Sequence, residues 1–152
     1  MLPKNKKTVW NKQPKVKKKK AKSRWVLVRE LDNRFSKFIR LRDADKNGIC
    51  SCITCWTKIH RKQMHNCHYI ERWNYRYRRD ENNCNAGCNA CNTYHKEAHK
   101  RKYTMYMVAK YWLETVMQRE ATKRENANWK TFEIQDMIDY YKAKVKDHPL
   151  YW

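Results

Sequence analysis

Two pairs of cysteines constrain the fold of this 152-residue chain more than any other feature. Cys52 and Cys55 form one C-x-x-C pair, and Cys88 and Cys91 form a second pair after the intervening residues 56–87. Zinc prefers a tetrahedron of thiolates, and each C-x-x-C turn offers two sulfurs to one ion. The sequence therefore predicts one structural Zn²⁺, which would stabilise the fold and leave no coordination position open for chemistry.

The other three cysteines, Cys50, Cys67 and Cys84, bring the total to an odd seven. The basic N-terminus is not followed by the apolar segment of a secretion signal, so we expect a reducing, cytoplasmic compartment and no disulfides. Cys50 could compete for the metal through its C-x-C spacing to Cys52, but we expect all three to be small buried hydrophobic residues. The longest aliphatic stretch, around residues 26–28, is too short to span a membrane.

The charge of the chain predicts a polyanionic partner. Thirty-six Lys and Arg against 15 Asp and Glu give a net charge of +21, which favours DNA over an anionic membrane surface. Residues 1–24 contain 11 basic and no acidic side chains, so we predict a disordered basic arm followed by one domain over residues 25–152. The arm is either a solvated tail or a DNA tether, with the candidate DNA contacts Lys17, Lys18, Lys19 and Lys20.

Scarce glycine and proline and clear apolar periodicity predict a mainly helical α+β chain. The first helix is predicted over residues 25–43, residues 49–92 as short strands and loops organised by metal, and a further helix from 88–92 towards Lys102. Two amphipathic helices should follow, which could form core or a homodimer face. Their stripes are Met105, Ala109, Trp112 and Val116, then Ile134, Ile138, Tyr141 and Val145.

The polar residues between the cysteine pairs point to chemistry beyond zinc binding. His65-Asn66-Cys67-His68-Tyr69-Ile70-Glu71-Arg72 is followed by Asn83 and, directly after Cys91, by Asn92. This order resembles the HNH endonucleases of the ββα-metal class. Together with Phe35-Ser36-Lys37-Phe38-Ile39-Arg40-Leu41-Arg42-Asp43-Ala44-Asp45, it is similar to the NinG (Rap) recombination proteins of lambdoid phages, over roughly residues 25–105.

The resemblance implies a zinc-stabilised, treble-clef-like HNH core at about residues 49–102. It implies an endonuclease that cuts branched DNA, such as Holliday junctions or D-loops, in phage recombination, with a catalytic Mg²⁺ or Mn²⁺ beside the zinc. His68 would be the catalytic base, since a neutral imidazole can take a proton from water near pH 7. By position, Asn83 would fix the loop that orients His68, and Asn92 would help to hold the catalytic ion.

One departure from the HNH pattern leaves the ion's second ligand open. Many HNH enzymes have Asp before the catalytic histidine, whereas this chain has Cys67. His65, Asp80, Glu81 or water could supply the ligand instead. His95 and His99 have an i, i+4 spacing that can chelate a metal, so they could replace or supplement Asn92.

Residues 69–79 are the predicted DNA-facing segment, in which arginines interleave with Trp73, Tyr75 and Tyr77. The predicted DNA contacts are Arg72, Arg76, Arg78, Arg79 and Lys96, with Lys100, Arg101 and Lys102 extending the positive face. A structural segment with solvated arginines is the alternative. For the whole chain there are two alternatives. One is a non-catalytic, zinc-dependent nucleic-acid-binding protein that could recruit other recombination enzymes or act on RNA, and the other is a sequence-specific homing or restriction HNH nuclease.

Overall fold

A computed structural model describes residues 21–94 and 96–150, apart from the side chains of 96–98. Lys17, Lys18, Lys19, Lys20 and His95 lie outside these residues, as does most of the predicted arm. The described part is a mixed α/β fold of five α-helices, a short 3₁₀ turn and two small sheets. In chain order the elements are α1 (Arg24–Arg42), β1 (Ile49–Ser51), β2 (Lys58–His60), the 3₁₀ turn (Arg61–Gln63), β3 (His65–His68), β4 (Cys84–Gly87), α2 (Asn89–Thr93), α3 (Lys96–Tyr111), α4 (Leu113–Thr122) and α5 (Thr131–Lys146).

The first and last helices form the main hydrophobic core. Residues 24–42 contain no glycine or proline, and the apolar residues of α1 recur at helical spacing, so one face of the helix is buried. The rings of Phe35 on α1 and Tyr141 on α5 meet edge to face, with centroids 5.1 Å apart. The predicted stripes of both helices are confirmed. Their buried residues are Leu27, Leu31, Phe35, Phe38 and Ile39 on α1, and Ile134, Ile138, Tyr141 and Val145 on α5.

The region between these helices corrects two predictions. The helix expected from 88–92 to Lys102 is divided, because α2 ends at Thr93 and α3 begins at Lys96. The stripe expected to run through Trp112 is wrong, because the chain turns at Trp112, which has a φ of 68° and is 81% exposed. Residues before and after such a turn do not share one helix face. Tyr103, Met107 and Val116 are buried instead, whereas Met105 and Ala109 are exposed.

Two antiparallel hairpins carry the cysteine region. β1 pairs with β2, and Gly48 precedes β1 in a turn with a φ of 75°, a conformation that favours glycine. β3 pairs with β4 from His65 opposite Gly87 to His68 opposite Cys84. The long loop 69–83 joins these strands, and α2 follows β4, so the order is strand, strand, helix. In the part of the chain described, no helix combines the length and the apolar character needed to cross a bilayer.

Candidate zinc centre and adjoining cleft

The two C-x-x-C pairs meet in space. The sulfur atoms of Cys52, Cys55, Cys88 and Cys91 all lie within 4.8 Å of one another. Those of Cys55 and Cys88 are 3.7 Å apart, which is close to the edge of about 3.8 Å for a tetrahedron with Zn–S bonds of 2.3 Å. The donor set and its spacing fit Zn²⁺, so the four cysteines could hold one structural zinc ion.

Backbone hydrogen bonds shape each half of this cluster. The Cys52 N–H donates to Thr57 O and the Trp56 N–H to Cys52 O, both at 2.9 Å, closing a tight turn in which Trp56 has a φ of 63°. Cys88 caps α2, and its sulfur accepts the N–H of Cys91 at 3.5 Å. The sulfurs are therefore brought together by local chain geometry on both sides.

The protonation of the cluster makes metal binding dependent on pH. Burial opposes ionisation of Cys55, but hydrogen bonds with Thr57, Cys52 and Cys91 lower its pKa to about 6. Burial raises the pKa of Cys88 and Cys91. A zinc ion requires thiolates, so its binding must release protons from these two groups.

The other three cysteines are fully buried, as predicted. The Cys50 thiol donates to Arg40 O at 3.3 Å, and Cys50 does not belong to the four-sulfur cluster. Cys67 packs against Gly87, where a Cβ atom would collide with the Cys67 sulfur. Gly87 therefore leaves space for a side chain of the neighbouring strand.

A cleft of about 710 Å³ lies beside the cysteine cluster. Its walls come from α1, β3, the start of loop 69–83, α2 and α3. The proposed base His68 and the candidate metal ligands His65 and Asn92 line it together with Cys91 of the cluster. Its other polar lining residues are Asp32, Asn33, Ser36, Arg40, Asn66, Tyr69, Glu71, Arg72, Arg78, His99, Lys100 and Tyr103.

His68 stands at the end of β3 with its ring fixed by the following loop. Its Nε2 lies 3.1 Å from Arg78 O, and because a carbonyl only accepts, Nε2 must carry the proton. The Nδ1 atom therefore keeps its lone pair. Burial, with the positive charges of Arg72 and Arg78, lowers the pKa of His68 to about 4. The imidazole is consequently neutral at pH 7.

Asn83 fixes the loop that holds His68. Its Oδ1 accepts the N–H of Ile70 at 2.8 Å, and its Nδ2 donates to Ile70 O at 2.9 Å and to Tyr77 O at 3.0 Å. The side chain is fully buried, so these three bonds connect the two ends of the loop inside the protein. Asn83 does not line the cleft.

Asn92 and His65 meet at the mouth of the cleft. The side-chain amide of Asn92, on α2, lies 3.4 Å from Nδ1 of His65, on β3. The other two candidate ligands are engaged elsewhere: Asp80 pairs with Arg119 at 2.6 Å, and Glu81 pairs with Lys144 at 3.2 Å. Of the three candidate second ligands from the protein, only His65 lines the cleft.

His99 also lines the cleft, with one of its two ring nitrogens engaged in a hydrogen bond. Its Nδ1 lies 2.6 Å from the Thr54 hydroxyl, and its ring meets Tyr103 edge to face. Burial lowers the pKa of His99. The predicted pairing of His99 with His95 cannot be placed, because His95 lies outside the described residues.

An ion-pair cluster involves three arginines of the predicted DNA-facing segment. The Asp32 carboxylate accepts from Arg72 at 3.0 Å, from Arg78 at 2.5 and 3.1 Å, and from Arg79 at 2.8 and 3.1 Å. The side chain of Arg79 is 3% exposed and therefore lies inside the protein, and its contact with DNA stays a prediction. Arg78 is also largely enclosed, and Arg76 pairs with Glu125. Arg72, at 63% exposure, still faces the solvent.

Lys96, another predicted DNA contact, has no described side chain. Lys100 lines the cleft, and Arg101 and Lys102 are exposed. The charge of the cleft wall therefore comes from α1 and α3 as well as from loop 69–83.

Comparison with known protein families identifies the family of this chain. The model described as "Bacteriophage Lambda NinG protein" matches residues 3–149. The chain belongs to the NinG family. The resemblance of its motifs to the NinG proteins is thereby confirmed, and membership of the NinG family suggests a function related to phage recombination. Searches of curated proteins and of solved structures gave no match.

Sequence reasoning missed three structural residues of this NinG-family chain. Asp32 accepts hydrogen bonds from three arginines and lines the cleft together with two of them, Arg72 and Arg78. Arg42 donates to Glu81 O at 2.6 Å and to Cys84 O at 2.8 Å, and the Asp43 carboxylate accepts the N–H of Ala86 at 2.7 Å. Arg42 and Asp43 lie within the motif on which the NinG resemblance rested, but their contacts are about 40 residues away in sequence, and no periodic pattern predicts them.

Proposed function

We propose that this chain is a metal-dependent DNA endonuclease of the HNH type that cuts branched DNA during phage recombination. The observation that carries the proposal is the shared cleft. His68 from a hairpin strand and Asn92 from the following helix line it, directly beside the four-cysteine cluster. The net charge of +21 would attract a phosphate backbone to this chain.

His68 is the proposed general base. The Nε2–H bond to Arg78 O sets the tautomer, so Nδ1 is the nitrogen that can accept a proton from water. Burial lowers the pKa of the ring to about 4, which keeps it unprotonated at neutral pH. A phosphate entering the cleft would raise this pKa, because negative charge stabilises the imidazolium. The base would therefore become stronger when substrate is present.

Asn92 and His65 are the residues that would hold a catalytic ion. They offer one amide oxygen and one imidazole nitrogen from groups 3.4 Å apart, and the oxygen and nitrogen positions of an amide are interchangeable in such an assignment. When bound, Mg²⁺ or Mn²⁺ would stabilise charge on the phosphoryl and leaving oxygens. Such ions commonly take most of their ligands from water and substrate phosphates, so two protein ligands are compatible with this role.

The test is nicking of supercoiled plasmid with Mg²⁺ or Mn²⁺ by the zinc-loaded protein. The wild type should cut, and His68→Ala should lose cutting by at least about 100-fold, the lower range for a lost general base. His148→Ala is the matched control, because His148 lies after α5 and does not line the cleft. Wild-type cutting no faster than that of His68→Ala would overturn the enzyme assignment.

Substrate choice needs its own comparison. A synthetic four-way junction and its linear duplex arms would be incubated side by side with the same enzyme. Preferential cutting of the junction supports the branched-DNA proposal. Equal cutting at a fixed sequence in both would favour a homing or restriction nuclease.

One observation favours a second candidate, a non-catalytic zinc-dependent DNA-binding protein. Cys67 occupies the position where many HNH enzymes have a metal-binding Asp, and it is fully buried. It therefore cannot take the place of that ligand. Under this alternative, junction binding would persist in both His68→Ala and wild type while neither cut DNA with either metal.

A further inference from the structure

One face of α1 carries a stripe of aromatic, basic and small polar side chains, which we call the α1 stripe. Its members recur every three or four residues and therefore lie along one side of the helix. Between its first and last residue the helix rises roughly 22 Å at 1.5 Å per residue. The α1 stripe consists of Trp25, Arg29, Asn33, Ser36 and Arg40.

This stripe is continuous with the cleft that contains His68. Trp25, Arg29 and Asn33 line a shallow surface groove of about 500 Å³. Asn33 also lines the cleft, together with Ser36 and Arg40. The two depressions thus share Asn33, and the α1 stripe leads from the start of the helix to the candidate site.

The α1 stripe presents cations that are not neutralised by acids. In the part of the chain that the structure describes, neither Arg29 nor Arg40 forms an ion pair. The guanidinium of Arg29 lies over the Trp25 ring, 5.4 Å from its centroid, and Nε of Arg40 donates to Ser36 O at 3.1 Å. Arg78 and Arg79 differ, because both are paired with Asp32.

The exposed ring of Trp25 favours a single, unpaired nucleic-acid strand over a duplex as the partner of the α1 stripe. Trp25 is a large aromatic residue that lines the groove, yet it is 66% exposed. An exposed ring can stack on a base, but bases inside a duplex are already stacked on each other. A single strand offers both the free base face and the phosphates that arginines bind.

We propose that the α1 stripe binds one unpaired DNA strand and leads it into the His68 cleft. Trp25 stacks on a base, Arg29 and Arg40 contact phosphates, and Asn33 and Ser36 offer hydrogen bonds between them. The stripe spans about six nucleotides at the 3.4 Å spacing of a stacked strand, and fewer when the strand is extended. This inference rests on the proposed function, because a branched substrate would supply the unpaired strand.

The test is the affinity of the full, zinc-loaded chain for a fluorescently labelled oligothymidylate without divalent ions, measured by anisotropy. Trp25→Ala should weaken binding at least about five-fold, the lower range for one stacked base. Trp25→Phe should restore most of the loss because it keeps an aromatic face. Neither change should alter affinity for a duplex by more than about two-fold, because paired bases offer no free face.

Salt dependence tests the phosphate contacts separately. Each lost contact to a single strand should reduce the slope of log K against log salt by about 0.7, so Arg29→Ala/Arg40→Ala should reduce it by about 1.4. Lys142→Ala/Lys146→Ala is the control with equal charge change, because these exposed lysines of α5 line neither groove. Arg29→Ala alone should reduce the slope by half as much. Because this variant removes only an exposed side chain, it separates a lost phosphate contact from a folding defect caused by the change at Arg40.

The proposal is overturned if Trp25→Ala binds the single strand as tightly as the wild type, or if the lysine control reduces the slope equally. These outcomes are independent of nuclease activity, because binding is measured without divalent ions. Strand binding by the α1 stripe in a protein that does not cut plasmid would refute the endonuclease proposal alone. Wild-type cutting together with single-strand binding that is unchanged in Trp25→Ala would refute the α1 stripe alone.

Discussion

Replacing Asp32 by Asn should destabilise the fold by about 3 kcal/mol at pH 7, the lower range for removing one partner of a buried ion pair. The carboxylate is 12% exposed and accepts five hydrogen bonds from Arg72, Arg78 and Arg79. Arg79 is enclosed and Arg78 nearly so. An asparagine keeps the shape but removes the charge, and it turns one acceptor into a donor that faces other donors.

The pH dependence of this effect has a definite sign. Burial alone would raise the pKa of Asp32, but hydrogen bonds and charges from Arg78, Arg79 and Arg72 hold it below the ordinary 3.8. The carboxylate therefore contributes its stability fully above about pH 4, and the contribution is lost as the pH falls through the lowered pKa. A comparison at pH 7 measures the full difference.

The loss in the free energy of unfolding caused by Asp32→Asn would be measured on zinc-loaded protein by urea unfolding, followed by circular dichroism. With a slope of about 1 to 3 kcal/mol per molar urea, the midpoint should fall by about 1 to 3 M. Glu30→Gln is the matched control, since Glu30 lies on the same helix and pairs with the exposed Lys22 at 2.6 Å. It should cost less than about 1 kcal/mol. Equal losses for the two variants would refute the claim that the Asp32 cluster is desolvated.

Three further predictions address the metal, the histidine and the hairpin. Cys88→Ala should lose the zinc that metal analysis finds in wild type and in Cys50→Ala, and zinc retention would contradict the four-sulfur site. Between pH 7 and 4, the wild type should lose about 3 kcal/mol more stability than His68→Gln. The reason is that the unfolded ring takes up a proton below its ordinary pKa of 6.5, whereas the folded ring does so only near its lowered pKa of about 4. Equal acid sensitivity of the two proteins would refute the burial of His68. Gly87→Ala should destabilise the hairpin by collision with Cys67, and adding Cys67→Ala should recover most of that loss in thermal melts, whereas strictly additive losses would argue against the contact.

The parts of the fold that the sequence predicted are those set by local repetition. α1 and α5 follow from apolar residues three or four positions apart, because each helix buries one continuous face. The boundary between α3 and α4 does not follow, since it depends on the backbone of Trp112 at a φ of 68°. Hydrophobic periodicity contains no information about such a turn, so it predicted one helix where there are two.

The candidate site divides in the same way. The cysteine cluster was predictable because ligand spacing is a local property with a fixed chemical meaning. The burial of Arg79 could not be predicted, because it depends on Asp32, which is 47 residues away in sequence. From sequence alone, an arginine in a basic segment is predicted to be exposed. Only the folded structure shows that a distant carboxylate pairs with it and that it is buried. The roles of His68 and Asn92 remain predictions that rest on resemblance and on their shared cleft.

The outer edge of β4 has a consequence for assembly. A two-stranded sheet normally leaves unpaired backbone groups along its sides, which invite a strand from another molecule. At Ala86 both groups are already used: its N–H donates to the Asp43 carboxylate at 2.7 Å, and its carbonyl accepts the Ile53 N–H at 3.1 Å. The residue after α1 and the turn between Cys52 and Cys55 thus occupy both backbone groups of Ala86. A strand from another molecule therefore cannot pair with β4 at this point.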